Sequence, residues 1–287
     1  VVIADKAQRV TIPAGDSGRA TFALRLDDDA PPSSVSGNTF TDQMVVFSAH
    51  HPGHLLGYWR LGEAASPFAD TSGLAPARDG VADGLVPHLT TDIVGALPPD
   101  DDDGAVLFAG AGGAAAEGIN VNDPGGKFNF GPAKPDISLV CFVRSDADAG
   151  TFPGSIVGDV NFEVIFPFTL YGWRLRIAYP ARTPVWERAD RSVTSGGSGL
   201  TATVTGGALA AGAWAFLVGT YSAATGHQLY VNGSLAGTDA TTFNTVSPVN
   251  GTVRFGGGLP AGLDEVSLWD VALTATEVSE LYAAAQV

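Results

Sequence analysis

A chain of 287 residues with 45% hydrophobic and only 16% charged residues has ample material for a core, and no stretch approaches the roughly 18 apolar residues of a membrane span. Its 30 acidic residues against 15 basic ones give a formal net charge of −15, a field that opposes nucleic acid and anionic lipid as partners. The single cysteine, Cys141, excludes an intrachain disulfide, and its place in the apolar run Ile137 to Val143 marks a buried, inert thiol.

Two alternating runs, Gln8 to Ile12 and Arg19 to Leu26, are joined by the turn residues Pro13 to Gly18, and a third apolar run, Met44 to Phe47, follows the Asp- and Pro-rich loop Asp27 to Pro32. Residues 1–48 therefore read as a small N-terminal β segment or attachment region ahead of a main domain over residues 49–287. The start at Val1, with no basic-then-apolar leader, reads as a processed product or a piece of a longer polypeptide.

Short strands then recur: Ala105 to Ala109, Ile137 to Arg144, Gly154 to Asp159, Phe162 to Phe166, Trp173 to Tyr179, Leu200 to Thr205, Trp214 to Thr220, Gln228 to Val231, Thr252 to Gly256 and Leu263 to Trp269. Asn232-Gly233 and Asn250-Gly251 are hairpin signals between them, and the cadence is that of an antiparallel sandwich or jelly roll. Alternation puts Trp214, Phe216 and Val218 on one face, and core packing accounts for Trp59 and Trp269 as well. At the end, Thr274 to Glu277 is a capping box that opens a short helix with Val278, Leu281, Tyr282 and Ala285 on one side.

Several motifs read as structure rather than chemistry. Gly15-Asp16-Ser17-Gly18 is a turn, and His50-His51-Pro52-Gly53-His54 is a linker whose Pro and Gly break any helical ligand face. Asp100 to Asp103 form a solvated acidic loop, and the sequons at Asn232 and Asn250 are explained by turn chemistry. Glutamate is scarce and no Glu-x-Asp-x-x-Glu strand motif appears, which argues against glycoside hydrolysis.

In chain order, "LLGYWRLGE" (55–63) with "ADTSG" (69–73), "GAVLFAG" (104–110) before "DISLVCFVRSD" (136–146), "GAWAFLVGTYSAATGHQLYVNGSLAGT" (212–238) and "VRFGGGLPAGLDEVSLWDVALTATEVSELY" (253–282) resemble laminin-G-like, concanavalin-A-like jelly-roll domains over about residues 53–285. The resemblance implies an all-β, two-sheet antiparallel sandwich with a closing helix. It implies a structural calcium ion near the 69–73 loop, held by Asp70 and Asp264 with Glu63 as a further ligand; the competing assignment gives Asp70 an Asx-type turn and Asp264 an internal hydrogen bond.

The function the resemblance implies is non-catalytic carbohydrate binding or adhesion, extracellular, secreted or displayed on a virion, with a cell-surface or environmental polysaccharide as partner. A structural protein of a phage virion, a minor tail or decoration protein contacting other virion components, is the rival. In "LYGWRLRIAYPARTPVWERADR" (170–191), Trp173, Leu175 and Ile177 alternate against Arg174 and Arg176. Trp186 and Tyr179, beyond the regular strand, are the candidate ligand-stacking platforms, with burial under the sandwich rim as the competing assignment.

Overall fold

The computed structural model describes residues 40–82, 89–97, 104–109, 118–123, 126, 128, 130, 135–145, 154–159, 172–189, 201–242, 252–256 and 260–286. It opens with helix α1 (Phe40–His50), continues through β1 (Leu55–Trp59), β2 (Gly80–Ala82), β3 (Leu89–Val94), β4 (Gly104–Ala109), β5 (Ile119–Asn122), β6 (Ile137–Ser145) and β7 (Gly154–Asp159). It then runs through β8 (Gly172–Ala178), β9 (Thr183–Ala189), β10 (Thr201–Thr205), β11 (Trp214–Ser222), β12 (Gly226–Val231), β13 (Ser234–Asp239), β14 (Thr252–Phe255) and β15 (Pro260–Trp269) to helix α2 (Ala275–Ala284). One sheet has the order β13-β12-β11-β6-β15-β4-β3, with β1 also paired to β15, and the other β10-β9-β8-β7-β14-β5-β2. Neighbours so distant in sequence, as in β11-β6-β15-β4, give the crossings of a jelly roll rather than a meander. Among the described residues no helix is long and apolar enough to cross a membrane.

Two apolar layers hold this arrangement. Between the sheets, Leu139, Cys141 and Val143 of β6 meet Leu175, Trp186 and Phe255 of the facing sheet. On the outer side of the larger sheet, Val140 and Phe142 of β6 and Phe216 and Val218 of β11 lie under Phe40, Met44 and Phe47 of α1 and Val278 and Leu281 of α2. β6 is thus buried on both faces, which explains why its sequence is a continuous apolar run instead of an alternating one. Burial also holds the Cys141 thiol above its ordinary range, so it stays protonated and inert.

The run Met44 to Phe47, expected as part of a β segment, is helical. Phe40, Met44 and Phe47 recur at helical spacing, and all three are buried against the sheet. Phe40 packs edge-on to Phe142, with ring centroids 5.3 Å apart. The expected strands Gln8 to Ile12, Arg19 to Leu26 and Phe162 to Phe166, the Gly15 to Gly18 turn, the Asp100 to Asp103 loop and the Asn250-Gly251 turn lie outside the described residues. The His-rich segment connects α1 to β1: His51 Nε2 lies 2.6 Å from Glu277 and His54 Nδ1 lies 2.8 Å from Asp270.

Both termini of local order follow sequence chemistry. The β12–β13 hairpin turns on Asn232 (φ 49°) and Gly233 (φ 74°), the paired positive φ angles that Asn-Gly tolerates. At α2, Glu277 N–H donates to Thr274 Oγ1 (3.3 Å) while Thr274 N–H donates to the Glu277 carboxylate (2.7 Å). Burial works to raise the Glu277 carboxyl, but the hydrogen bonds from His51 and Thr274 outweigh it and hold it below the usual range. Thr274→Ala is expected to cost about 1 kcal/mol, seen as a lower denaturant midpoint at constant slope. An unmoved midpoint would show that the cap does not contribute.

Candidate functional site

Trp186 is not an exposed platform. It lies in β9, opposite Leu175 of β8 and Val204 of β10, and is wholly buried between the sheets. Its indole N–H donates to the Thr220 carbonyl (3.2 Å), and the ring lies so close to Gly219 that a Cβ there would come within 2.6 Å of it. Tyr179 is half-buried, packs against the same core and shares a 2.8 Å hydrogen bond with the Ser145 hydroxyl. The sandwich thus consumes both rings as packing and polar tethers.

The opening and closing strands meet, with Trp59 of β1 opposite Val266 of β15. The three carboxylates nevertheless serve separate local tasks. Asp70 Oδ1 accepts from the backbone N–H groups of Tyr58 (3.2 Å) and Ser72 (3.0 Å), and Oδ2 from Arg78 (3.1 Å), an Asx-type turn that pins the 70–72 segment to β1. Asp264 Oδ2 accepts from the Ala96 N–H (2.7 Å), and Glu63 Oε1 from the Ala69 N–H (2.7 Å). Among the described residues no group of three or more His, Cys, Asp or Glu side chains gathers around one point. Asp70, whose two oxygens both face N–H donors, is a poor fit to a calcium ion, which takes 6–8 oxygen ligands.

The two outer faces of the sandwich differ in chemistry. The larger sheet hides its outer face under α1 and α2. On the other sheet, alternation sends Ile119, Val121, Leu175 and Trp186 inward and leaves the intervening polar side chains on the opposite face. Cross-strand register aligns these into one row: Val81, Asn120, Arg254, Gly158, Arg174, Glu187 and Thr203 are successive partners across β2, β5, β14, β7, β8, β9 and β10. At a strand spacing of about 4.8 Å the row is about 29 Å long.

Ion pairs set its geometry. Glu187 accepts from Arg174 Nε (2.7 Å) and from Arg176 Nη2 (2.6 Å), the latter one alternation along β8. Burial works to raise the Glu187 carboxyl, yet the hydrogen bonds and charges of Arg176 and Arg174 prevail and keep it below the ordinary range. It is therefore a fixed acceptor at neutral pH, not a proton donor. Glycines make the room: a Cβ at Gly158 would lie 2.7 Å from Arg174 Cβ, and one at Gly118 would collide with the Arg254 guanidinium. In the sequence only the Arg174/Arg176 alternation signals this face; the rest of the row is assembled by register between strands far apart in the chain.

A two-sheet jelly roll whose seven-stranded face has no helix over it among the described residues defines a lectin-like β-sandwich. Residues 118–279 match the Laminin_G_3 family, described as the concanavalin A-like lectin/glucanases superfamily, and the chain belongs to that family. No curated protein sequence matches the chain. Among solved structures, it is similar to the binding domain of botulinum neurotoxin DC in complex with SialylT, at 13% identity and TM-score 0.56, over 82% of this chain and 52% of that one. It is also similar to the binding domain of Paraclostridial Mosquitocidal Protein 1, at 15% identity and TM-score 0.55, over 80% and 52%. A third is botulinum neurotoxin type C, described as dependent for cell entry on interaction with two ganglioside molecules, at 15% identity and TM-score 0.55, over 84% and 53%. The chain spans about half the length of these neighbours, and the likeness is one of fold.

Proposed function

We propose that the chain is a non-catalytic carbohydrate-binding module that works outside the cell on a surface or environmental polysaccharide. The observation that carries this reading is the cross-strand row on the seven-stranded sheet, in which the buried Glu187 holds Arg174 in line with the amide of Asn120, the guanidinium of Arg254 and the hydroxyl of Thr203, groups suited to a polyhydroxylated chain. The net charge of −15 turns away polyanions and leaves neutral glycans unaffected. Family membership and the glycan ligands named for two neighbours add support. Glu187 is the row's one acidic side chain and is held ionised, whereas glycoside hydrolysis needs a protonated acid facing a second carboxylate. Single contacts of this kind are weak, so attachment calls for several copies on one carrier, such as a virion or a modular secreted polypeptide.

The test is glycan-array and polysaccharide pull-down binding by a multivalent display of the chain, beside an Asn120→Ala/Thr203→Val variant. Thr203 is exposed and Asn120 half-buried, so the variant is expected to fold and to bind about fivefold or more weakly, each lost hydrogen bond contributing about 1 kcal/mol. Release of reducing sugar by the wild type would overturn the non-catalytic claim. Undiminished binding by the folded variant would take the site off this row.

A further inference from the structure

The other side of the sandwich holds a feature that the saccharide row does not use. In β1 a bulge between Leu55 and Gly57 breaks the strict alternation, so Leu55 and Tyr58 turn to the outer face of the larger sheet while Leu56 and Trp59 turn into the core between the sheets. Gly57 allows this, because a Cβ there would lie 2.2 Å from the Trp59 ring. On α1, Met44 and Ser48 stand one turn apart on the same face. Between α1 and β1 lies a pocket of about 530 Å³ whose walls include Met44, Ser48, Leu55 and Tyr58. That is within the size range of small-molecule sites, roughly 300–1,000 Å³. The space stays open because the last turn of α1 brings only the small side chains of Ser48 and Ala49 to it.

Its floor is apolar and its mouth carries hydroxyls. Met44, Leu55 and Tyr58 are buried, whereas Ser48 and Ser72 are half-buried and Thr71 is exposed. The mouth is held in shape from below: Asp70 accepts from the Ser72 and Tyr58 N–H groups, and Thr71 donates from both N–H (2.7 Å) and Oγ1 (3.0 Å) to the Tyr58 carbonyl. The charges around it are already engaged. Both Asp70 oxygens accept from backbone N–H groups, Oδ2 from that of Arg78. Arg60 donates to the fully enclosed Glu265, which also accepts from Tyr58 Oη and so fixes the phenol ring in the pocket wall. Glu265 sits on the β15 bulge between Asp264 and Ser267, which re-aims its side chain toward β1.

We infer that this pocket binds a small neutral amphipath, its alkyl body against Met44, Leu55 and Tyr58 and its hydroxyl-bearing head among Ser48, Thr71 and Ser72. Alcohol side chains both donate and accept, so they match a head that does the same. A charged head would enter beside the ion pair that Arg60 and Glu265 already form, and a charge drawn out of water without a partner of its own is costly. The same chemistry has two sources, a free long-chain alcohol and the alkyl end of a neutral glycoside. This site lies on the opposite sheet from the saccharide row and does not depend on it.

The experiment titrates the full chain with 1-butanol, 1-hexanol and 1-octanol, and with hexanoate, hexylammonium and hexyl glucoside, by calorimetry and amide NMR. Affinity is expected to rise about fourfold for each added methylene along the alcohols, the scale of burying one CH₂. Hexanoate and hexylammonium should each bind about tenfold or more weakly than 1-hexanol, since neither charge finds a partner. Hexyl glucoside binding within about tenfold of 1-hexanol assigns the glycoside as the source, and weaker binding assigns the free alcohol. Ser48→Trp, which fills the space, and Ala49→Trp, which closes the mouth from an exposed position, are each verified as folded by circular dichroism and should abolish binding of every probe. A charged probe that binds as tightly as 1-hexanol, an affinity that stays flat along the alcohols, binding that survives both tryptophan variants, or no saturable binding of 1-octanol at millimolar concentration overturns the inference. The Asn120→Ala/Thr203→Val variant should leave all these results unchanged, so failure of the saccharide row and failure of the pocket are told apart.

Discussion

Trp186→Ala is expected to cost about 3–5 kcal/mol of folding stability, the range for truncating a buried aromatic. The indole is wholly enclosed, 6.3 Å by ring centroid from Trp173, which in turn lies 5.9 Å from Phe130, so its removal opens a cavity at one end of an aromatic cluster. It also removes the donor bonded to the Thr220 carbonyl. Strands on both sides fix the backbone, so the site cannot collapse to refill the space. Guanidinium titration followed by far-UV circular dichroism should show a much lower midpoint, with Trp186→Phe between variant and wild type. A variant of wild-type stability that had lost glycan binding would restore Trp186 to the ligand face and remove it from the core.

Trp186 reaches the core through a strand whose sequence is far from a uniform apolar run. Pro184 and the charges of Glu187 and Arg188 are unusual company for a strand in the core, because proline is rare inside sheets and buried charge is costly. The structure compensates each one non-locally. Pro184 stands next to the first residue of β9, where its carbonyl still accepts from the Gly206 N–H (2.9 Å). Glu187 is matched by Arg174 and Arg176, while Arg188 donates to the Pro135 and Phe130 carbonyls and lies 4.5 Å over the Tyr221 ring. None of these partners is close in sequence, so no local pattern could announce them.

Features whose cause is local were legible. The capping box at Thr274, the Asn232-Gly233 hairpin and the alternation of β8 each depend on residues within a few positions, and each forms as read. α1 falls between these cases. Its helical spacing of Phe40, Met44 and Phe47 was present in the sequence, but the apolar surface that rewards it, Phe142 and Phe216, exists only once β6 and β11 have paired. The polar row is more distant still, since register across seven strands makes it.

Between pH 6.5 and about 4 the protein is expected to lose about 3 kcal/mol of stability through one residue, His227, at about 1.36 kcal/mol per pH unit. The imidazole is fully buried, its ring centroid 4.4 Å from that of Tyr221. Burial first, and then the positive charge of Arg188, push it down from 6.5 to about 4, outweighing the pull of Asp239. At neutral pH the residue is neutral in both folded and unfolded states. As pH falls below 6.5 the unfolded chain takes up a proton that the folded chain refuses, so the unfolded state gains and stability drops until the folded imidazole titrates near 4. The carboxylates act in a separate window: Glu187 and Glu277, depressed in the folded state, lend stability that fades only as pH falls below about 4.5. Denaturant titrations of wild type and His227→Gln from pH 7.5 to 4.5 distinguish the two. The variant, which lacks the titrating ring, should start less stable and lose little across that range, so the stability gap narrows steadily with acid. A gap that stays constant down to pH 4.5 would show that His227 titrates alike in both states.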